Sequence, residues 1–134
     1  MKVMCEWVRK EVLVVDDEPD ICYLLENILR KRNLVPDCAF NLADASLRIA
    51  KRQPYLIFLD NSLPDGRGID FIPYLKTHCP NSKIVVVTAN DSPSDQYAAY
   101  LHGADDFLSK PLSLERINKT LDKMMLSPQD SPTM

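Results

Sequence analysis

Glycine is scarce in this chain, with three in 134 residues. That leaves no room for a glycine-rich nucleotide loop, whose backbone must approach phosphates closely at several positions. Long apolar stretches are missing as well. The apolar runs, such as Val12-Leu13-Val14-Val15 and Ile84-Val85-Val86-Val87, are strand-sized, whereas a membrane helix needs about 20 apolar residues. Met1 to Lys10 is interrupted by Glu6, Arg9 and Lys10 and lacks a signal-peptide core. The expected compartment is the cytoplasm, with no membrane partner. An excess of basic charge is absent too: 16 Lys and Arg stand against 19 Asp and Glu, for a net charge of −3. That balance gives no electrostatic reason for direct nucleic-acid binding. The cysteines at 5, 22, 38 and 79 form no C-x-x-C pair, which argues against a zinc site or a thioredoxin motif. With this much aliphatic core they are expected to be reduced, structural thiols.

What is present fits one globular domain: 46% hydrophobic and 26% charged residues. The apolar pattern alternates between two periods. Glu11 to Asp16, Leu34 to Phe40, Tyr55 to Asp60, Lys83 to Thr88 and Asp106 to Ser109 read as strands. Between and after them run helical patterns. The first opens at Pro19 and carries Ile21, Leu24, Leu25, Ile28 and Leu29. Asn41 is the expected N-cap of a helix over Leu42 to Arg52. Ile69, Ile72 and Leu75 mark a third helix, which Pro73 is expected to shorten or bend unless it lies in the first turn. Ser92-Pro93 begins a fourth, through Leu101, with Gly103 as its C-cap. The last runs from Leu112 or Ser113 to Met125, with Leu114, Ile117, Leu121 and Met124 on one face. Leu101 is expected in the core, while Tyr97 and Tyr100 fit either the core or a docking face. Residues 1–9 read as an N-terminal extension, with Trp7 covering a sheet edge or lying in an ordered extension, 10–126 as the domain, and 127–134 as a polar tail or the start of a linker.

Five strands alternating with five helices predict a doubly wound α/β fold with a parallel sheet. Right-handed crossovers put the C-terminal ends of all strands on one edge, where such sheets bind ligands. Asp16, Asp17, Asp60, Thr88 and Lys110 follow the first, third, fourth and fifth strands, so they converge although far apart in sequence. Three carboxylates at one place call for a cation. Oxygen ligands select a hard ion, Mg²⁺ above all. Asp60, alone at its strand end, can attack phosphorus as a carboxylate nucleophile. Lys110 and the cation would steady the phosphoryl oxygens, and the Thr88 hydroxyl could donate to one of them. His78, Cys79 and His102 lack further ligands at chelating spacing, and the helix dipole accounts for His102.

These residues sit in segments that resemble the receiver domains of two-component response regulators. The segments are Val12-Leu13-Val14-Val15-Asp16-Asp17-Glu18-Pro19, Leu59-Asp60 with Leu63-Pro64-Asp65-Gly66, Val87-Thr88-Ala89, and Gly103 to Leu112. The resemblance covers roughly residues 10 to 125. It implies a flavodoxin-like five-stranded sheet in order 2-1-3-4-5 and a phosphoryl group donated by a histidine kinase or phosphotransfer protein. By the same resemblance Asp60 is the phosphoacceptor. Asp17 and Asp60 hold Mg²⁺ through their side chains and Asn61 through its backbone carbonyl, and Asp16 acts through a metal-bound water. Thr88 and Lys110 hold the phosphoryl group. Phe107 is the switch aromatic, moving inward when Thr88 is drawn to the phosphate. The family more often has tyrosine there, so no hydroxyl-dependent contact is implied. Ser62 and Asn90 flank the path of the hydrolytic water, and the Lys110–Pro111 bond is cis. The face from 93 to 125 is expected to bind a downstream protein or a second copy of the chain.

Two other readings compete. A haloacid-dehalogenase-type phosphatase also forms an aspartyl phosphate on a parallel sheet, but its nucleophile ends the first strand in D-x-D. Here that position reads Asp16-Asp17-Glu18, with no room for a cap domain. A receiver-like binding module that ignores phosphate would not need the full set Asp17, Asp60, Thr88 and Lys110.

Overall fold

Each expected apolar run becomes a strand in the computed structural model, which describes residues 10–125. The expectations for Trp7, Cys5, the extension 1–9 and the tail 127–134 lie outside those residues. The strands are β1 (Glu11–Val15), β2 (Val35–Ala39), β3 (Leu56–Asp60), β4 (Lys83–Thr88) and β5 (Asp106–Ser109). The helices are α1 (Pro19–Lys31), α2 (Leu42–Lys51), α3 (Gly68–His78), α4 (Pro93–His102) and α5 (Leu114–Met125). All strand pairs are parallel, in the order β2-β1-β3-β4-β5. Among the described residues no helix is long and apolar enough to cross a membrane.

Strand side chains alternate between faces, and the core divides accordingly. Leu13, Val15, Ile57, Leu59, Ile84 and Val86 point to one side, against Ile49 of α2, Ile72 of α3 and Ala99 of α4. Val12, Val14, Leu56, Phe58, Val85 and Val87 point to the other, against Leu25 and Leu29 of α1 and Ile117 and Leu121 of α5. The interiors of the central strands β1, β3 and β4 are apolar on both sides because both faces are covered.

The helix ends follow local chemistry. Asn41 accepts a hydrogen bond from Asp44 N at 2.7 Å, and Ser92 one from Asp95 N at 3.2 Å. The Asp65 carboxylate, in the loop after β3, accepts from Leu42 N at 2.8 Å and Ala43 N at 3.0 Å. Gly103 closes α4 at φ 116°, a left-handed conformation that favours glycine. Pro73 does not shorten α3: it lies beyond the first turn, and the helix continues to His78.

Two burial expectations are corrected. Leu101 is 66% exposed, not core. Ala99 faces the sheet, and two residues further on a helix turns about 200° to the opposite side. Leu114 is 59% exposed, while Leu112 packs against the core cluster. Cys22 and Cys79 are buried, and Cys22, Cys38 and Cys79 are free thiols.

Candidate functional site

Sheet pairing sets the site. Asp60 lies level with Val87, and Thr88 with Ser109, so the ends of β3, β4 and β5 lie along one edge. Asp16 N donates to Ala39 O at 3.0 Å, Asn61 N to Val87 O at 3.1 Å and Lys110 N to Thr88 O at 2.8 Å. The chain is thus tied to its neighbours just where it leaves each strand. Gly68 is required here: a Cβ on it would sit 2.2 Å from the Asp60 carbonyl oxygen. Nothing in the sequence distinguishes Gly68 from an ordinary loop glycine, because its neighbour is eight residues away and met only through the fold.

Carboxylate oxygens of Asp16, Asp17 and Asp60 all lie within 4.8 Å of one another, the only such cluster of potential metal ligands among the described residues. Asp16 and Asp60 are buried and Asp17 is exposed. Burial, reinforced by the Asp16 charge, pushes Asp60 up to about 6 although Lys110 opposes it. Burial also raises Asp16, against a hydrogen bond from Glu18 N and the contact with Lys110. An all-oxygen, mutually repelling donor set of this kind fits a hard divalent cation. Asn61 is buried. Its carbonyl accepts from Gly68 N at 3.3 Å, leaving one lone pair, and its side chain accepts from Ile69 N at 2.9 Å.

Lys110 enters the pocket just before a cis bond to Pro111. Its ammonium lies 2.5 Å from Glu18 Oε1, 3.1 Å from Asp16 Oδ2 and 3.6 Å from Asp60 Oδ1. Burial works against its charge, but the bonds to Glu18 and Asp16 outweigh that and hold its pKa above the ordinary value. Glu18 escaped the sequence reading as a site residue, since it stands 92 positions from its partner. The acidic run Asp16-Asp17-Glu18 was its only signal.

Thr88 is buried, and its hydroxyl is engaged with Asn90, accepting from the amide at 3.1 Å and donating to the carbonyl at 3.3 Å. Ser62 and Asn90 are exposed. Phe107 is 8% exposed and packed in the core cluster. The inward move expected of it therefore has no outward starting point in this structure. A phenyl ring has no hydroxyl to keep in water, so nothing polar holds it at the surface.

The family model for the response regulator receiver domain matches residues 12–122. The chain belongs to this family. Among curated relatives, the receiver is 37% identical over 111 residues to the response regulator protein PilR of Pseudomonas aeruginosa, covering 83% of this chain and 25% of that one. It is 38% identical over 110 residues to the KDP operon transcriptional regulatory protein KdpE of Escherichia coli, covering 82% and 48%. The chain thus spans about a quarter and about half of those two relatives. A two-component response regulator from Clostridium difficile superposes with a TM-score of 0.86 at 28% identity, covering 92% of this chain and all of that one. The beryllofluoride-activated NtrC4 receiver domain dimer superposes at 0.81 with 38% identity, covering 85% and 94%. Residues 12–122 form a phosphorylation-controlled signalling receiver domain. The phosphatase alternative finds no support among these relatives.

Proposed function

We propose that Asp60 is the phosphoacceptor and that the donor is a phosphohistidine of a histidine kinase or phosphotransfer protein. The observation that carries this reading is a buried carboxylate at a strand end, beside two further carboxylates and one lysine. A carboxylate oxygen of Asp60 bonds to phosphorus as the P–N bond of the donor breaks, and the leaving imidazole keeps the electron pair. Asp16, Asp17, Asp60 and the Asn61 carbonyl would hold Mg²⁺, Asp16 through a coordinated water. When bound, that ion supplies positive charge against the phosphoryl oxygens. Lys110 contributes a second positive charge. Thr88 gives up its Asn90 contacts to donate to a phosphoryl oxygen. Ser62 and Asn90, exposed beside Asp60 and Thr88, set how readily water reaches the acyl phosphate.

The output surface is α4, β5 and α5. Tyr97, Tyr100, Leu101 and Leu114 are its exposed large apolar side chains, more than solvation of a helix pair needs. A downstream protein or a second copy of the chain binds there. With Phe107 already inside, the part of the switch left to phosphorylation is the release of Thr88 from Asn90.

Acetyl phosphate or phosphoramidate with Mg²⁺ tests the assignment. One hydroxylamine-labile phosphate per chain, mapped to Asp60, is expected. Continuous turnover without a retained label would indicate a phosphatase, and no label a phosphate-blind module.

A further inference from the structure

We propose that Glu18 is a positioning residue that holds Lys110 on the Asp16 side of the pocket, so that a phosphoryl group at Asp60 gains the lysine only by taking it from Glu18. The proposal rests on Asp60 being the phosphoacceptor. Three observations carry it. Lys110 Nζ is closer to Glu18, at 2.5 Å, than to Asp16, at 3.1 Å, or Asp60, at 3.6 Å. Glu18 occupies the N-cap of α1 but its side chain makes no capping bond, which leaves the carboxylate to the lysine. Its backbone is pinned by donation from Glu18 N to Asp16 Oδ1 at 2.9 Å, so the anchor for Lys110 is fixed to the acidic cluster itself.

Exposure decides why Glu18 wins. Its side chain is 59% exposed, against 3% for Asp16 and 4% for Asp60. A carboxylate at the surface can hold the ammonium while keeping most of its own water, whereas the other two reach it only from inside the pocket. A phosphoryl group at Asp60 brings additional negative charge to the far side of Lys110. The ammonium then has two rival anions, and the balance between them sets how tightly the phosphorylated state is held. Because the Glu18 contact is solvent-exposed, its removal should be worth a small factor, about two- to fivefold.

The test uses the full chain, saturating Mg²⁺ and beryllofluoride as the phosphoryl mimic, with amide chemical shifts as readout at about 0.15 M salt, where distant charges are screened. Glu18→Gln is expected to bind beryllofluoride about two- to fivefold more tightly than the natural chain, while its affinity for Mg²⁺ alone does not rise. Asp20→Asn, which removes an acid of the same first turn that does not touch Lys110, is the control and should leave the affinity unchanged. Equal affinity of Glu18→Gln and the natural chain would overturn the proposal. So would an equal gain in Asp20→Asn, which would reduce the effect to net charge. Weaker binding of both probes would give Glu18 a merely structural role and overturn it as well. Failure of the natural chain to bind beryllofluoride would instead strike the phosphoacceptor reading, and this inference with it.

Discussion

The two edges of the sheet handle charge in opposite ways. At the N-terminal edge Arg52 and Lys83 each meet their acceptors in simple pairs. Arg52 bonds Glu11, and Lys83 donates to the Tyr55 hydroxyl and to Met124 O, both at 2.8 Å. At the C-terminal edge four acids, Asp16, Asp17, Glu18 and Asp60, crowd around one lysine. The first arrangement is complete by itself. The second holds surplus negative charge in a partly buried place, which stabilises nothing until a cation arrives. Complete pairing belongs to the scaffold, and incomplete pairing marks the place where the chain meets something else.

The largest effect should come from Asp60, the proposed phosphoacceptor. Asp60→Asn keeps the shape and removes the attacking charge, so labelling by acetyl phosphate should fall to background. A full label on the variant, located by mass spectrometry, would move the acceptor elsewhere.

The same substitution should sharpen the electrostatic contrast in chelator-treated protein. Asp60 titrates at about 6 when folded, above its ordinary value near 3.8. The folded state therefore binds more protons than the unfolded chain between those two values, and stability falls as pH rises through that window. The penalty is absent below about pH 4 and complete above about pH 6, where it amounts to roughly 2–3 kcal/mol. Asp60→Asn should be more stable than the natural chain by an amount of that order at pH 7.5, with the gain vanishing near pH 4. Denaturant melts at the two pH values check it.

A divalent cation should relieve the same repulsion. Mg²⁺ at ten times its dissociation constant should stabilise the fold by about 1.4 kcal/mol, a rise of about 3–5 °C in Tm. Asp17→Asn should lose most of that rise. Equal gains in both proteins would place the ion elsewhere.

The N-terminal edge should give the smallest response. Arg52 is 71% exposed, and Arg52→Ala should leave Tm nearly unchanged, because an exposed ion pair is screened by solvent and salt, and should leave phosphorylation unchanged. A loss of labelling in this variant would break the division between the two edges.

The sequence was most legible where a local rule operates. An apolar run that stops at an acid or hydroxyl marks a strand end, and β4 and β5 lie where that rule puts them. Because parallel strands share one edge, the convergence of Asp16, Asp17 and Asp60 follows from the same reasoning. What stayed hidden depends on side-chain direction and long-range contact. Leu101 has the chemistry of a core residue but the wrong helical phase. Gly68 matters because of one carbonyl it approaches. Glu18 meets Lys110 only through the fold, 92 positions away in the chain. Phe107 in a strand gives no hint of whether its ring stands in or out, and tertiary packing decides it.

Asp65 gives the loop after β3 a reporter in another part of the chain. The amides of Leu42 and Ala43, at the start of α2, have no partners within their own helix, and it is the Asp65 carboxylate that holds them. Those bonds keep the Asp65 carboxyl below its usual pKa. Any slowing of hydrogen exchange expected at Leu42 and Ala43 is therefore not a property of α2. It measures the fraction of time that the loop after Asp60 stays closed, read from more than twenty residues away.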